Sequence, residues 1–366
     1  MHQPVIVSAV RTPLGRLQGA LSPFTAPQLG SLVVREAVRR AAVAPDEVQD
    51  CILGCVLQAG LGQNPARQAA LGAGLSVGSS ALTVNMVCGS GLKAAALAAQ
   101  AIETGDAEIV VAGGMESMTN APYLLPQARS GYRMGHGQML DAMIHDGLWD
   151  PYNQFHMGAS AEMVAERYSI SRAEQDAFAA ESHRRAAQAT AQGWFAAEIL
   201  PVQLPARKGE QARLFAADES IRPETTVEIL ARLKPAFVDS GTVTAGNAPG
   251  VSDGAAAVVV MSDERARQLG LAPLAVIRAQ ATAGREPEWM SLAPIDAVRR
   301  VAEKAGWPLD SVDLFELNEA FSVQALAVLR ELAIDPARVN IHGGAVALGH
   351  PIGASGARVL VTLLYA

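Results

Sequence analysis

Between Ser90 and Glu103 the chain writes a helix with Ala, Leu and Ile on every face, interrupted mainly by Lys93. A helix at a protein surface keeps a polar side for water, so one without it is expected to be buried all round. That requirement excludes a small two-layer fold and places the helix between two sheets. The flanking residues supply the first. Pro4 to Val10, Asp50 to Gln58, Leu82 to Val87 and Glu108 to Ala112 are β-rich runs, alternating with helical stretches at Gln28 to Ala42 and Pro65 to Leu71. Such alternation predicts a layered α/β body.

Residues 119–249 break the pattern, being richer in polar residues, Gly, Pro, His and Met, with helices near Ala159 to Arg167 and Arg172 to Gln192. They read as an insert or lid. Ala255 to Met261 is again a strand, and from Ala275 the alternation restarts. It runs through the strand Ala275 to Thr282, the helix Pro294 to Ala305, the strand Val312 to Leu317, the helix Glu319 to Leu332, the strand Arg338 to Ile341 and a helix from Ser355. The second half repeats the first. Three units follow: 1–118 with 250–270, an insert at 119–249, and 271–366. Aligning the halves sets Leu82 to Glu103 opposite Arg338 to Ala366 and leaves Glu108 to Ala112 and Ala255 to Met261 without counterparts. This predicts a chain cut short, with exposed sheet edges.

Composition narrows the partners. With 366 residues, half of them hydrophobic, the chain can bury a large core. Its 29 basic and 36 acidic residues give a net charge of −7 without a long basic run, which excludes a general phosphate-backbone binder, so no nucleic acid partner is expected. Val5 to Val10 is too short to span a membrane and the N-terminus lacks a signal peptide's basic start, so no membrane partner is expected. Three cysteines make no disulfide framework and point to a reducing, cytoplasmic setting.

Cys88 lies between a β-run and the start of the apolar helix, in Asn85-Met86-Val87-Cys88-Gly89-Ser90-Gly91. Unpaired N–H groups and the helix dipole there would favour a thiolate nucleophile, although an inert buried cysteine is equally compatible with position alone. Cys51 and Cys55, four apart in a strand-like run, predict core packing. His350 stands in the run from Asn340 to Gly356, where Gly343, Gly344, Gly349, Gly353 and Gly356 suggest backbone approaching a ligand. The repeat places this loop opposite Cys88, so a Cys/His pair across the junction of the halves is geometrically plausible. Asn318 precedes a helix and reads first as its cap. No histidine has metal-ligand spacing, and serine-hydrolase, P-loop and dinucleotide fingerprints are missing; no metal or cofactor is expected.

Together, Asn85 to Gly91, Gly113 to Met118, His156 to Glu162, Thr244 to Asn247, Asp253 to Ala256, Asn318 to Phe321 and Gly343 to Gly356 closely resemble the thiolase family over essentially the whole chain. The resemblance implies two similar α/β halves in a five-layered α-β-α-β-α body with a loop-domain insert, assembled as a homodimer or homotetramer. It implies coenzyme A thioesters as substrates: Cys88 would take an acyl group with His350 as proton acceptor, and Asn318 would hold a water that completes an oxyanion site. The expected reaction is acetyl-CoA C-acetyl transfer, the reversible Claisen condensation of two acetyl-CoA. The family pattern further points to Arg222 at the adenine and phosphate end of CoA, and to Leu148, His156, Phe237, Ala245, Ala248 and Phe321 along the tunnel. Met157 and Met290 match methionines that line a short acyl pocket.

Two departures qualify this expectation. Pro249 stands where a serine would bind the pantetheine amide, a loss of roughly 0.5–1.5 kcal/mol. No cysteine follows Cys88, whereas the family uses a second one as the base for enolate formation. The alternatives are a 3-oxoacyl-CoA thiolase of fatty-acid degradation and a catalytically impaired acyl-CoA or lipid-binding relative. A decarboxylating ketoacyl synthase fits Asn318 and His350 less well.

Overall fold

The computed structural model describes residues 2–206 and 212–366. Its main strands are β1 (Pro4–Arg11), β2 (Asp50–Gly54), β3 (Ser80–Val84), β4 (Ile109–Ser117) and β5 (Ser252–Ser262). The longer helices are α1 (Ala26–Arg40), α2 (Pro65–Ala73), α3 (Ser90–Thr104), α4 (Met157–Tyr168), α5 (Arg172–Ala191), α6 (Ala293–Ala305), α7 (Ser322–Leu332) and α8 (Ile352–Tyr365). The strands join one mixed sheet in the order Ala275–Val276, β1, β5, β4, β2, β3, with Gly15–Arg16 added to the start of β5. β5 runs antiparallel to β1 and β4, and β2 runs parallel to β4 and β3.

Both faces of the sheet are covered because its central strands are apolar at consecutive positions, not alternate ones. Val111 and Met115 of β4, with Ala255, Ala257, Val259 and Met261 of β5, face Leu29, Val33 and Ala37 of α1 and Ala66 and Ala70 of α2. The intervening Val110, Ala112, Ala256, Val258 and Val260 face Ala94, Ala98 and Ile102 of α3 and Ala357 and Val361 of α8. The side-chain period of two thus sorts one strand into two cores.

α3 is not buried all round. Its Ala94, Ala95, Ala98, Ala99 and Ile102 side is covered by β4 and α8, while Leu92 is 48% exposed. The neighbouring edge strand β3 is open as well, with Leu82 48% exposed.

The insert supplies α4 and α5. A capping box starts α5, Ser171 and Glu174 each satisfying the other's backbone N–H. Val164 and Ala165 of α4 pack with Val243, Ala248, Leu292, Ile295 of α6 and Val323, Ala327 and Val328 of α7. The runs expected as strands in the second half are only fragments of sheet: Ala275–Val276 pairs with β1, and Phe315 bridges Val339. An extended run becomes a strand only where a neighbour takes up its N–H and C=O groups, and 277–282, 312–314 and 340–341 find no such ladder among the described residues. No helix among these residues is long and apolar enough to cross a membrane.

Candidate active site

β3 ends at a tight elbow that presents Cys88 just ahead of α3. Val87 carries φ of +48°, a region a β-branched residue rarely enters. Local side chains hold it there: Val87 N–H donates to Asn85 Oδ1 at 3.0 Å, Met86 N–H donates to Ser90 Oγ at 2.8 Å, and that hydroxyl donates to Val87 C=O at 2.6 Å. Cys88 packs against Val56, Leu57, Met118 and Ile352.

The partner comes from the other half. His350 Nε2 lies 3.1 Å from Cys88 Sγ and 3.5 Å from Asn318 Nδ2, while its Nδ1 lies 2.6 Å from Ser355 Oγ. The His350 backbone N–H donates to Ser252 Oγ at 3.1 Å. Burial holds the imidazole neutral, lowering it to about 4, and the positive charge of Arg358 acts in the same direction. Burial also pushes the Cys88 thiol up to about 12, the charge on Glu116 adding to the effect and a backbone hydrogen bond at Cys88 only partly opposing it. Desolvation of the charged sulfur thus opposes the thiolate that the helix start favours. The pair rests as thiol and neutral imidazole, poised for proton transfer.

Asn318 does not cap a helix, since α7 begins at Ser322 after Phe321. It lies instead beside His350, and its Oδ1 makes no hydrogen bond among the described residues.

The glycines of the His350 run approach other parts of the protein closely. A Cβ on Gly353 would stand 2.6 Å from a Glu116 carboxylate oxygen; one on Gly349 or Gly344 would collide with Ser252 or Glu319. Glycines in the other half answer them: a Cβ on Gly54 would lie 2.6 Å from Gly353 C=O, and one on Gly91 2.6 Å from Ala357 N. Removing side chains at this crossing lets the starts of α3 and α8 meet, which brings Cys88 and His350 together.

Two buried carboxylates that motif reading passed over hold the crossing. Glu116 accepts from Val56 N–H at 3.0 Å, Leu57 N–H at 3.1 Å and Gly353 N–H at 2.8 Å. Glu319 accepts from Ser182 Oγ and Val346 N–H, each at 2.9 Å, and Asn340 Nδ2 at 2.8 Å. Burial raises both carboxyls, Glu116 to about 7. Both belong to motifs quoted above, yet an isolated acid in sequence reads as solvated; the available signal was the apolar and glycine-rich company each keeps.

Leu148 joins the apolar wall around Cys88, and its C=O accepts from Met157 N–H at 2.9 Å. His156 caps α4, its Nδ1 accepting from Gly158 N–H at 3.0 Å. Its ring stacks on Phe237 at 4.8 Å, and Phe237 meets Phe321 edge-on at 6.2 Å. These residues form an arc that ends three positions beyond Asn318. Ala248 is buried in the core of α4 and α7, and Ala245 is exposed nearby in sequence. Met290 lies in the turn Pro287–Leu292, which Ser160 of α4 holds through the Glu288 carbonyl at 2.9 Å. Arg222 stands apart, its N–H donating to His183 Nδ1 at 3.2 Å and its guanidinium 3.3 Å from Nε2. Cavities of about 230 Å³ beside Phe195 and Asp218 and about 580 Å³ beside Leu125 and His145 are not lined by Cys88 or His350.

Comparison with known proteins identifies the family. The profile of the thiolase N-terminal domain matches residues 4–264, and that of the thiolase C-terminal domain matches residues 271–366. The latter match spans the whole of the expected second half. The chain is 56% identical to an acetyl-CoA acetyltransferase of Pseudomonas aeruginosa and 53% identical to one of Cupriavidus necator, in both cases over 100% of this chain and 93% of the relative. It superposes on the crystal structure of the Bacillus anthracis acetyl-CoA acetyltransferase with a TM-score of 0.97 at 44% identity, covering 100% of this chain and 92% of that one.

Proposed function

The chain belongs to the thiolase family, and from that premise we propose that it is an acetyl-CoA C-acetyltransferase working through an acetyl group on Cys88. The observation that carries the reading is the 3.1 Å approach of His350 Nε2 to Cys88 Sγ. As sulfur attacks the thioester carbonyl of acetyl-CoA, Nε2 takes the thiol proton. Collapse of the tetrahedral adduct breaks the bond to the CoA sulfur, which recovers that proton from His350. The α-carbon of a second acetyl-CoA, its proton taken by the freed His350 Nε2 in place of the missing second cysteine, then attacks the acetyl-Cys88 carbonyl, and collapse of that adduct expels the Cys88 sulfur, which takes the proton back from His350 and leaves acetoacetyl-CoA. Asn318 Nδ2, on the same side of the ring, is a donor for the oxyanion.

Met157 and Met290 would bound the acyl pocket, and Leu148, His156, Phe237, Phe321, Ala245 and Ala248 would flank the pantetheine, with Arg222 farther out toward the nucleotide. The open edge of β3, with Leu82, Met86 and Leu92 exposed, supports pairing with a second copy as a homodimer or homotetramer. Free thiols at Cys51, Cys55 and Cys88 favour a reducing, cytoplasmic setting.

Intact-mass measurement of the purified protein before and after acetyl-CoA tests the function. Gain of one acetyl group, lost on adding free CoA, is expected; no adduct would sink the reading. A rate that rises with acyl length would move the assignment to a 3-oxoacyl-CoA thiolase.

A further inference from the structure

We propose that Ser355 is a positioning residue that holds His350 in the tautomer protonated on Nδ1, leaving the Nε2 lone pair directed at Cys88. The inference rests on the acyl-transfer reading only for its catalytic consequence.

Proton counting at the two ring nitrogens carries it. A serine hydroxyl has one proton to give and two lone pairs to accept with. Ser355 Oγ makes two contacts, to Pro351 C=O at 2.9 Å and to His350 Nδ1 at 2.6 Å. A carbonyl oxygen can only accept, so the hydroxyl proton goes to Pro351, and the contact to the ring is a bond only if Nδ1–H is the donor. The opposite nitrogen meets groups with protons to give, the Cys88 thiol at 3.1 Å and the Asn318 Nδ2 amide at 3.5 Å. One tautomer is compatible with all four contacts, the single Nε2 lone pair taking the nearer thiol while the amide lies alongside. The reverse tautomer sets the Pro351 carbonyl and Ser355 oxygens lone pair to lone pair and points N–H at the thiol that must lose its proton. Ser355 is buried in the first turn of α8, five residues after His350, so the constraint is built into the same helix start that delivers the base. Burial holds the ring neutral, so tautomer, and not charge, decides which nitrogen is basic.

NMR of wild-type protein carrying isotope-labelled histidine tests the assignment directly, with His350→Asn identifying the His350 signal. An Nδ1–H, Nε2-lone-pair ring is expected, and an Nε2–H ring overturns the proposal. In Ser355→Ala the ring should lose that preference, and the acetylation rate of Cys88 should fall about tenfold with KM for acetyl-CoA unchanged, the size of one lost hydrogen bond. An unchanged rate in the folded variant also overturns it. If wild-type protein shows the Nδ1–H ring yet takes up no acetyl group, the acyl-transfer reading fails while the tautomer assignment stands.

Discussion

The starts of α3 and α8 perform the same task by opposite means. Each is a chain turn into a central helix, each carries one reactive side chain, and the two meet across the halves. The Cys88 elbow lies beside an open strand edge and is shaped by local bonds among Asn85, Val87 and Ser90. The His350 turn is buried and pinned from a distance, by Ser252 before the helix and Glu116 within it. A nucleophile must be reached by a large substrate, whereas a base has only to stay aligned with the nucleophile. Local hydrogen bonds suffice for the first; the second needs partners from other parts of the fold.

The predictions test that contrast. Cys88→Ala should give the largest effect, complete loss of the acetyl adduct by intact mass, and a retained adduct would move the nucleophile elsewhere. His350→Ala should lower the acetylation rate by about 10²–10⁴ in single-turnover measurements, with the folded state kept; a wild-type rate would make the buried turn structural only. Glu116→Ala strands the N–H groups of Val56, Leu57 and Gly353, at about 1–3 kcal/mol for each buried donor left unsatisfied. Urea unfolding should show the loss, and wild-type stability would mean the His350 turn does not depend on its distant anchor.

The smallest expected effect concerns the resting state of the pair. Because burial pushes the Cys88 thiol up to about 12, its alkylation by iodoacetamide should keep rising through pH 9 and 10, with more thiolate at each step. A plateau below pH 9 would reveal a thiolate–imidazolium pair already formed and would erase the contrast between reactive and fixed partner.

Much of this was legible in the chain. The consecutive apolar residues of β4 and β5 announce strands covered on both faces, and the repeated alternation places Cys88 and His350 at matching points. Where reading failed, the cause was non-local. Asn318 has the residue type of a cap, and on the residue alone it reads as one, whereas the start of α7 at Ser322 leaves it beside the ring of His350. The glycines around His350 look like a ligand cradle until Glu116, Ser252 and Glu319 are seen to fill the space a side chain would need. α3 looks fully buried because apolarity tells that a face avoids water, not what covers it.

The sequence by itself indicated the long helices, the strands of the first half, their order and the candidate reacting groups, because periodicity and side-chain chemistry are local properties. The tertiary structure decided the protonation of Cys88 and His350, the use of Glu116 and Glu319 as anchors and the partner of Asn318. Each of these depends on burial and on atoms brought from other parts of the chain, and the desolvation that sets a pKa or strands a donor exists only once those atoms have come together.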